Sequence, residues 1–347
     1  MIFGGAMVFL YLFLAGVCLI LCLSADRIGR YLGVIDQPDG GRKLHAAPTP
    51  LVGGIAISFP WLLAIVTGAS LKSLPGTFMA FALGLALMFV VGLLDDRRHI
   101  SALVRLIVSF GVFLALVLVE PHFVVSHLAF ASLSKAFYLD PAVAIVFTAL
   151  CVVGLQNALN MADGKNGLAI GILIIWSFIL LQYAPAELYA LLAVLCVFLV
   201  ITLWFNLQGR LFLGDSGSYS LSMGVGFIAI YCYNSQAHPM PSETLALLFI
   251  VPVMDCLRVM ARRLASGRSP FSPDRDHLHH YLSNWMPWER GLAIYLLLIG
   301  VPNAVAYLYP QLLTTMIFLT VTIYVVMILV LAREPIAEKR STVLIGK

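Results

Sequence analysis

The chain has 347 residues, of which 61% are hydrophobic and 11% are charged, and its formal net charge is +4. Soluble domains contain about 45–50% apolar and about 25% charged residues, so this composition excludes that class. Loops that stay on the cytoplasmic side of a membrane already explain the excess of cations, so the charge is no argument for nucleic acid binding.

Long apolar runs predict membrane-spanning helices, because about 20 residues of helix cross a hydrocarbon core and satisfy their own backbone hydrogen bonds. The fold class is therefore an all-α, polytopic integral membrane protein with a single membrane domain over residues 1–347. We count about eleven runs of this length. They lie near 2–23, 50–69, 76–94, 101–119, 141–160, 168–184, 187–205, 218–235, 243–262, 289–309 and 311–332.

The basic residues predict the orientation. We number the gaps from the N-terminal segment before the first run, so that the gap after the first run is the second. Of 21 Lys and Arg residues, we place only Lys72 and Lys135 in the odd-numbered gaps, which leaves 19 in the even-numbered gaps or their flanks. Cationic loops resist translocation, so the even-numbered gaps are expected in the cytoplasm. With eleven spans and a basic C-terminal tail, we expect the N-terminus outside and the C-terminus in the cytoplasm.

The first candidate segment of these gaps is Asp95-Asp96, at the end of the third run. Paired carboxylates at a membrane boundary suit Mg²⁺, which usually takes one or two carboxylates together with substrate phosphates. The alternative is two solvated acids beside Arg97 and Arg98, since acids at membrane boundaries are common.

A second segment carries polar side chains at intervals of three residues, namely Asn157, Asn160, Asp163 and Asn166. The first two share a helical face that points at a loop containing glycine. Amides in apolar helices can simply join neighbouring helices, which is the structural alternative for Asn157 and Asn160. The loop from Asp163 to Gly167 is different, because its glycines allow backbone N–H groups to approach a ligand.

The third segment, Phe212 to Ser218, follows Asn206 and Arg210 and opens a helix. Its small residues and exposed N–H groups predict an anion site. Because an acid disfavours phosphate unless a metal intervenes, we interpret Asp215 as a metal ligand, with a helix cap as the alternative.

The fourth segment runs from Arg262 to His280 and contains several basic side chains. Its histidines could bind a transition metal, but cations surround them and no cysteine joins them. Diphosphate recognition by Arg275, His277, His279 and His280 fits better, with a solvated basic loop as the alternative.

Together these segments resemble the polyprenyl-phosphate N-acetylhexosamine-1-phosphate transferases, integral membrane enzymes that start bacterial cell-envelope glycans. The likeness spans most of the chain. Asp36-Gln-Pro-Asp39 and Arg42-Lys-Leu-His45 look like the first cytoplasmic motif of that family. The fourth segment resembles the branch that transfers N-acetylglucosamine-1-phosphate or a related sugar for O-antigen, enterobacterial common antigen or teichoic acid linkage. One departure is Asn166, where family members often carry an aspartate.

The resemblance implies transfer of a sugar phosphate from a UDP-N-acetylhexosamine donor to undecaprenyl phosphate, with release of UMP, at the cytoplasmic face of the bacterial inner membrane. Mg²⁺ or Mn²⁺ would lie between the two anionic substrates. A homodimer is left open. The implied catalytic residues are Asp95, Asp96, Asp163 and Asp215, with the metal on Asp215, Asp95 and Asp96, or with Asp95 or Asp96 as general base. The implied substrate-binding residues are Lys43, His45, Asn157, Asn160, Asn166 and Asn206, and Arg275, His277, His279 and His280 for the diphosphate.

Two alternatives remain. The same chemistry could use another donor, such as UDP-FucNAc or UDP-QuiNAc. A secondary transporter would also have many spans, but transporter sites usually lie near the middle of the bilayer. Here the acids cluster at helix ends, with Asp255 as the main exception, three residues before Arg258 on one helical face.

Overall fold

The protein is described from a computed structural model over residues 2–38, 47–133, 135–235, 238–272 and 274–333, and over these residues it is mainly helical. The helices are α1 (Ile2–Leu23), α2 (Ala25–Leu32), α3 (Gly53–Ser70), α4 (Thr77–Arg98), α5 (Ala102–Val119), α6 (Pro141–Ala162), α7 (Leu168–Leu181), α8 (Ala186–Leu207), α9 (Gly214–Ser235), α10 (Ser242–Ala265), α11 (Leu278–Trp285), α12 (Trp288–Leu308) and α13 (Leu313–Leu331).

Each of the eleven predicted apolar runs contains a helix, so the all-α, polytopic prediction is confirmed. Within the described ranges, eight helices are long and apolar enough to span a membrane. A ninth span results if α1 and α2, which meet at a bend of 71°, are counted as one. The other two runs are α7, with only 14 residues, and the more polar α9. The count of eleven spans therefore stays a prediction.

Helix α9 lies at the centre of the bundle. Of its 22 residues, 18 are buried, and it packs against α3, α4, α6 and α7. Its sequence is rich in glycine and serine, and small residues let helix backbones approach closely inside a membrane. At Gly224, for example, an added Cβ would lie 2.6 Å from the ring of Trp61. The low hydropathy of α9 therefore reflects close packing on every side.

Glycines also bring the first turn of α9 against α3 and α4. A Cβ on Gly54 would lie 2.1 Å from the backbone nitrogen of Gly217, and a Cβ on Gly92 would lie 2.3 Å from the carbonyl oxygen of Asp215. The Gly54 N–H also donates to the carbonyl of Leu213 at 2.7 Å. The start of α9 is thus held from two sides.

Two short antiparallel strand pairs lie at opposite ends of the bundle. Strand β1 (Ile35–Asp36) pairs with β2 (Thr49–Pro50) next to the start of α9, and β3 (His127–Leu128) pairs with β4 (Phe137–Tyr138) near the end of α9. We call the end that contains β1 and β2 the site end. The outer surface carries large exposed apolar side chains such as Phe9, Leu118, Trp204 and Phe318, as expected for contact with lipid.

Candidate active site

Four carboxylates from three helices meet at the site end, and we call them the carboxylate cluster. Asp95 and Asp96 lie in the last turn of α4, Asp163 follows α6, and Asp215 lies in the first turn of α9. The charges of Asp95 and Asp96 act on Asp215, and the charge of Asp96 acts on Asp163. The structure therefore brings together all four of the residues that the sequence predicts as catalytic.

Asp96 caps helix α9. Its two carboxylate oxygens accept hydrogen bonds from the backbone N–H groups of Asp215, at 2.7 Å, and Ser216, at 3.0 Å. A carboxylate is favoured at a helix N-terminus because it pairs with free N–H groups and with the positive end of the helix dipole. The cap of α9 is therefore Asp96 and not Asp215, and Asp96 fixes where Asp215 lies.

Asp95 is only 2% exposed and forms a buried ion pair. It accepts hydrogen bonds from the Arg105 guanidinium and the Tyr219 hydroxyl, each at 2.8 Å, and from the backbone N–H of Ile100 at 2.6 Å. This network joins α4 to α5 and α9. The sequence offered no pattern that linked Arg105 and Tyr219 to Asp95, since the hydroxyl lies 124 positions away.

Asp215 and Asp163 have fewer polar contacts. The side-chain amide of Asn160 donates to Asp215 Oδ1 at 2.5 Å and to Ser218 Oγ at 3.1 Å. The backbone N–H of Gly214 lies near Asp163 and favours its charged form. Burial and the charge of Asp96 nevertheless raise the pKa of Asp163 well above its ordinary value.

This arrangement limits how a metal could bind. Within the described ranges, no three or more His, Cys, Asp or Glu side chains are placed to hold one ion, so a site formed by Asp95, Asp96 and Asp215 together is not preformed. Asp95 and Asp96 have protein partners instead. Mg²⁺ usually needs only one or two carboxylates besides substrate phosphates. Asp215 and Asp163, which both feel the charge of Asp96, are the members of the carboxylate cluster with the fewest protein partners. The positive charge of Arg105 offsets only part of the negative charge around Asp215.

The three predicted asparagines of the second segment have different hydrogen-bond partners. Asn160 contacts the carboxylate cluster, as described above. Asn157 donates to the carbonyl of Val153 in its own helix at 2.8 Å. Asn166 is part-buried in the loop between α6 and α7, where its backbone carbonyl accepts a hydrogen bond from the Trp288 indole at 2.8 Å.

Asn206 is buried and connects two loops. Its Oδ1 accepts from the N–H of Gly167 at 2.6 Å, and its Nδ2 donates to the carbonyl of Leu211 at 3.0 Å. The loop after α6 and the loop before α9 are thereby joined. Because both ends of the amide have backbone partners, Asn206 has a structural role that the sequence did not predict.

Three histidines pack together beside the loop after α6, and we call residues 277–280 the histidine segment. The rings of His277 and His279 are stacked with centroids 5.5 Å apart, and the ring of His280 lies 4.2 Å from that of His279. His279 is 1% exposed, and neither of its ring nitrogens has a hydrogen-bond partner among the described residues. Its Nε2 faces Gly164, where an added Cβ would lie 2.6 Å away.

The surroundings of these histidines are basic. Burial and the neighbouring His277, Lys165 and Arg275 lower the pKa of His280 to about 4. The pKa of His279 is also lowered well below its ordinary value, chiefly by burial. Both rings are therefore neutral at pH 7, and each carries one N–H that can donate a hydrogen bond.

The remaining predicted residues lie at the edge of the site or outside the described ranges. Arg275 is exposed, and its charge acts on both Lys165 and His280, so it lies on the same side of the histidine segment as the loop after α6. Lys43 and His45 fall in the undescribed residues 39–46. Sequence reasoning did not single out Lys165, which lies over the ring of Trp288 at 5.9 Å.

Comparison with known proteins relates this geometry to a family. Residues 78–233 match the family described as Glycosyl transferase family 4. A Yersinia pestis protein named undecaprenyl-phosphate alpha-N-acetylglucosaminyl 1-phosphate transferase is 31% identical over 290 residues, which cover 79% of this chain and 75% of that protein. The chain belongs to glycosyl transferase family 4.

Other relatives of this family 4 chain carry closely similar names. An Escherichia coli K12 protein with the same name as the Yersinia relative is 30% identical over 270 residues, covering 74% of this chain and 71% of that protein. A Bacillus subtilis strain 168 protein, named a "Probable undecaprenyl-phosphate N-acetylglucosaminyl 1-phosphate transferase", is 26% identical over 327 residues, covering 92% and 88%. The family match runs from α4 to α9 and so contains the whole carboxylate cluster.

Proposed function

We propose that this chain transfers N-acetylglucosamine-1-phosphate from UDP-N-acetylglucosamine to undecaprenyl phosphate and releases UMP. The names of the relatives support this acceptor and this sugar. The observation that carries the proposal is that an acidic cluster and a basic segment lie next to each other at one end of an apolar bundle. The carboxylate cluster lies there, and Gly164, the residue after Asp163, packs against His279 of the basic histidine segment.

The reaction forms a bond between an oxygen of the acceptor phosphate and the β-phosphorus of the donor, and it breaks the bond from that phosphorus to the oxygen that leaves with UMP. A phosphate monoester with a second pKa of about 6 is mostly dianionic at neutral pH. It therefore needs little help from a general base. The ion pair of Asp95 with Arg105 suits a positioning role better than proton transfer.

Different residues of the site are proposed to bind the metal, the diphosphate and the nucleotide. Mg²⁺ or Mn²⁺, held by Asp215 and Asp163, would screen the negative charges of the two substrates from each other. Asn160 orients Asp215 through its 2.5 Å hydrogen bond, and Asp96 holds the helix that carries Asp215.

His279 and His280 supply neutral N–H donors for the donor diphosphate, together with the cations Lys165 and Arg275. Asn157 and Asn166 would lie on the nucleotide side of the site. The prenyl chain of the acceptor would stay in the bilayer against exposed apolar helix faces. Lys43 and His45 are proposed to contact substrate from the first cytoplasmic segment.

We place the site at the cytoplasmic face of the bacterial inner membrane, with the N-terminus outside. The distribution of Lys and Arg supports this orientation, because 19 of the 21 lie in the even-numbered gaps or their flanks, on the side of the carboxylate cluster. In this arrangement, α7 and α9 complete eleven spans.

Substitution of Asp215 tests the proposal. The purified chain in detergent is supplied with UDP-N-acetylglucosamine, undecaprenyl phosphate and Mg²⁺, and the release of UMP is measured. We expect Asp215→Asn to abolish release while the protein still purifies as a folded species. The control is Asp26→Asn, because Asp26 is an exposed acid paired with Arg30 on α2. Unchanged turnover in Asp215→Asn would contradict the metal role.

The same preparation distinguishes the other interpretations. A panel of UDP-sugars that includes UDP-FucNAc and UDP-QuiNAc identifies the donor, because the preferred sugar has the highest kcat/KM. Uptake of labelled UDP-sugar into vesicles without any lipid-linked product would favour a transporter over a transferase.

A further inference from the structure

Asp255 is a buried carboxylate of α10 that lies outside the carboxylate cluster. Its exposed fraction is 3%, and each of its oxygens has polar partners. Oδ1 accepts from Arg258 Nη2 at 2.8 Å and from the Tyr324 hydroxyl at 2.9 Å, and Oδ2 lies 2.8 Å from His277 Nδ1. A buried charge is tolerated only when it is paired in this way.

These contacts join three separate parts of the chain. Asp255 and Arg258 belong to α10, Tyr324 belongs to α13, and His277 directly precedes α11. Arg258 closes the network, because its Nε donates to the Tyr324 hydroxyl at 2.8 Å and its Nη2 also donates to the carbonyl of Asp276. The start of α11 is therefore fixed to two long helices.

Asp255 also holds the backbone of the histidine segment. The N–H of Leu278, the first residue of α11, lies 3.2 Å and 3.3 Å from the two oxygens of Asp255. His279 follows directly, stacked on the ring that Asp255 holds and facing Gly164 with its Nε2. Through His277 and Leu278, Asp255 thus determines where the histidine segment contacts the loop after α6.

We propose that Asp255 is a positioning residue of the transfer reaction, which fixes the histidine segment against the loop after α6 through His277 and the Leu278 amide. Arg258 and Tyr324 hold Asp255 in place for this role. The inference rests on the proposed function, because the histidine segment is assigned there to the diphosphate of the donor. It concerns how that segment is placed, and Asp255 itself does not touch substrate.

Two substitutions remove parts of the network, and one matched substitution does not. Asp255→Asn removes the charge and keeps the size of the side chain. Tyr324→Phe removes one hydrogen bond to Asp255 and leaves the aromatic ring. The control is Thr320→Val, one turn earlier in α13, because the Thr320 hydroxyl donates only to the carbonyl of Met316 in its own helix, at 2.7 Å.

Kinetics of UMP release are measured while UDP-N-acetylglucosamine and undecaprenyl phosphate are varied separately. A misplacement of about 1 Å by a remote change can lower a rate about 100-fold, so we expect that loss in kcat/KM for the UDP-sugar with Asp255→Asn. Tyr324→Phe should lose about tenfold, as outer partners of functional groups do. The KM for undecaprenyl phosphate should stay within about twofold in both, since only the donor side is displaced.

Hydrogen–deuterium exchange of the peptide over 277–282 gives a readout that does not depend on turnover. Asp255→Asn and Tyr324→Phe should speed exchange there, and Thr320→Val should not. If both variants kept the kcat/KM and the exchange rate of Thr320→Val, the inference would be overturned. A rise in the KM for undecaprenyl phosphate as large as the rise in the KM for the UDP-sugar would also overturn it, because the displacement would then not be confined to the donor side. A wild-type protein that releases no UMP would instead contradict the proposed function.

Discussion

Replacement of Gly92 by alanine tests whether the close approach of α4 and α9 positions the site. The added Cβ would lie 2.3 Å from the carbonyl oxygen of Asp215 and 2.5 Å from the Cα of Ser216, and both are backbone atoms that cannot rotate away. Ordinary non-bonded contacts begin near 3.4 Å. The first turn of α9 must therefore move by about 1 Å relative to α4.

This movement would displace Asp215 and weaken the cap that Asp96 forms on α9. A displacement of about 1 Å at a reacting centre lowers a rate by about 100-fold, and the crowding itself destabilises the fold by about 1–3 kcal/mol. We expect kcat/KM for UMP release by Gly92→Ala to fall by about that factor. Initial rates in detergent, at a temperature well below unfolding, measure the effect on the site separately from stability.

Gly111→Ala in α5 and Gly154→Ala in α6 are the controls, because no atom outside their own helix backbone lies within 4 Å of the added Cβ at either position. Alanine at either position should stabilise the helix by about 1 kcal/mol relative to glycine and leave turnover unchanged. If Gly92→Ala kept a kcat/KM within about threefold of Gly111→Ala, the contact of α4 with α9 would not position the site, and this reasoning would be refuted.

Two further substitutions report on stability. Asn206→Ala leaves the Gly167 N–H and the Leu211 carbonyl without their partner, so it should destabilise the protein by about 1–3 kcal/mol per unsatisfied group, seen as a lower unfolding temperature. The pKa of His280 is about 4, below the ordinary 6.5, so the unfolded state binds an extra proton between these values and stability falls as the pH falls through that window. His280→Gln should lose less stability than the wild type between about pH 7 and pH 5, as measured by thermal unfolding.

The sequence predicted the helices well because lipid imposes a simple rule on composition. Apolar runs must be helical in a bilayer, and each of the eleven contains a helix. The apolar run predicted near 218–235 starts four residues after the first residue of α9, Gly214, and the segment from Phe212 to Ser218 was predicted to open this helix. Gly214 has a φ of 75°, and contacts with Asp96 and α3 fix the course of the backbone at this point. Such contacts between distant segments leave no periodic pattern in the sequence.

The separate roles of Asp95 and Asp96 could not be predicted either. Adjacent residues on an α-helix point in directions that differ by about 100°, so two neighbouring acids reach different partners. Asp95 meets Arg105, while Asp96 meets the backbone of Asp215 and Ser216, 119 and 120 positions away. The paired acids look equivalent in the sequence, and only the packing of α4 against α5 and α9 separates them.

Asp255 bears on the choice between a transporter and a transferase that the sequence left open. An acid inside a membrane helix favours a transporter when its partners are unknown, and the sequence predicted only Arg258, which does lie 2.8 Å away. The structure adds His277 and Tyr324 from two other helical regions, so the charge is paired within the protein. A paired acid that holds the histidine segment has a function at the site end and needs no transport pathway to explain it. The residue that best supported the transporter therefore fits the transferase equally well, and the kinetics of Asp255→Asn can separate the two.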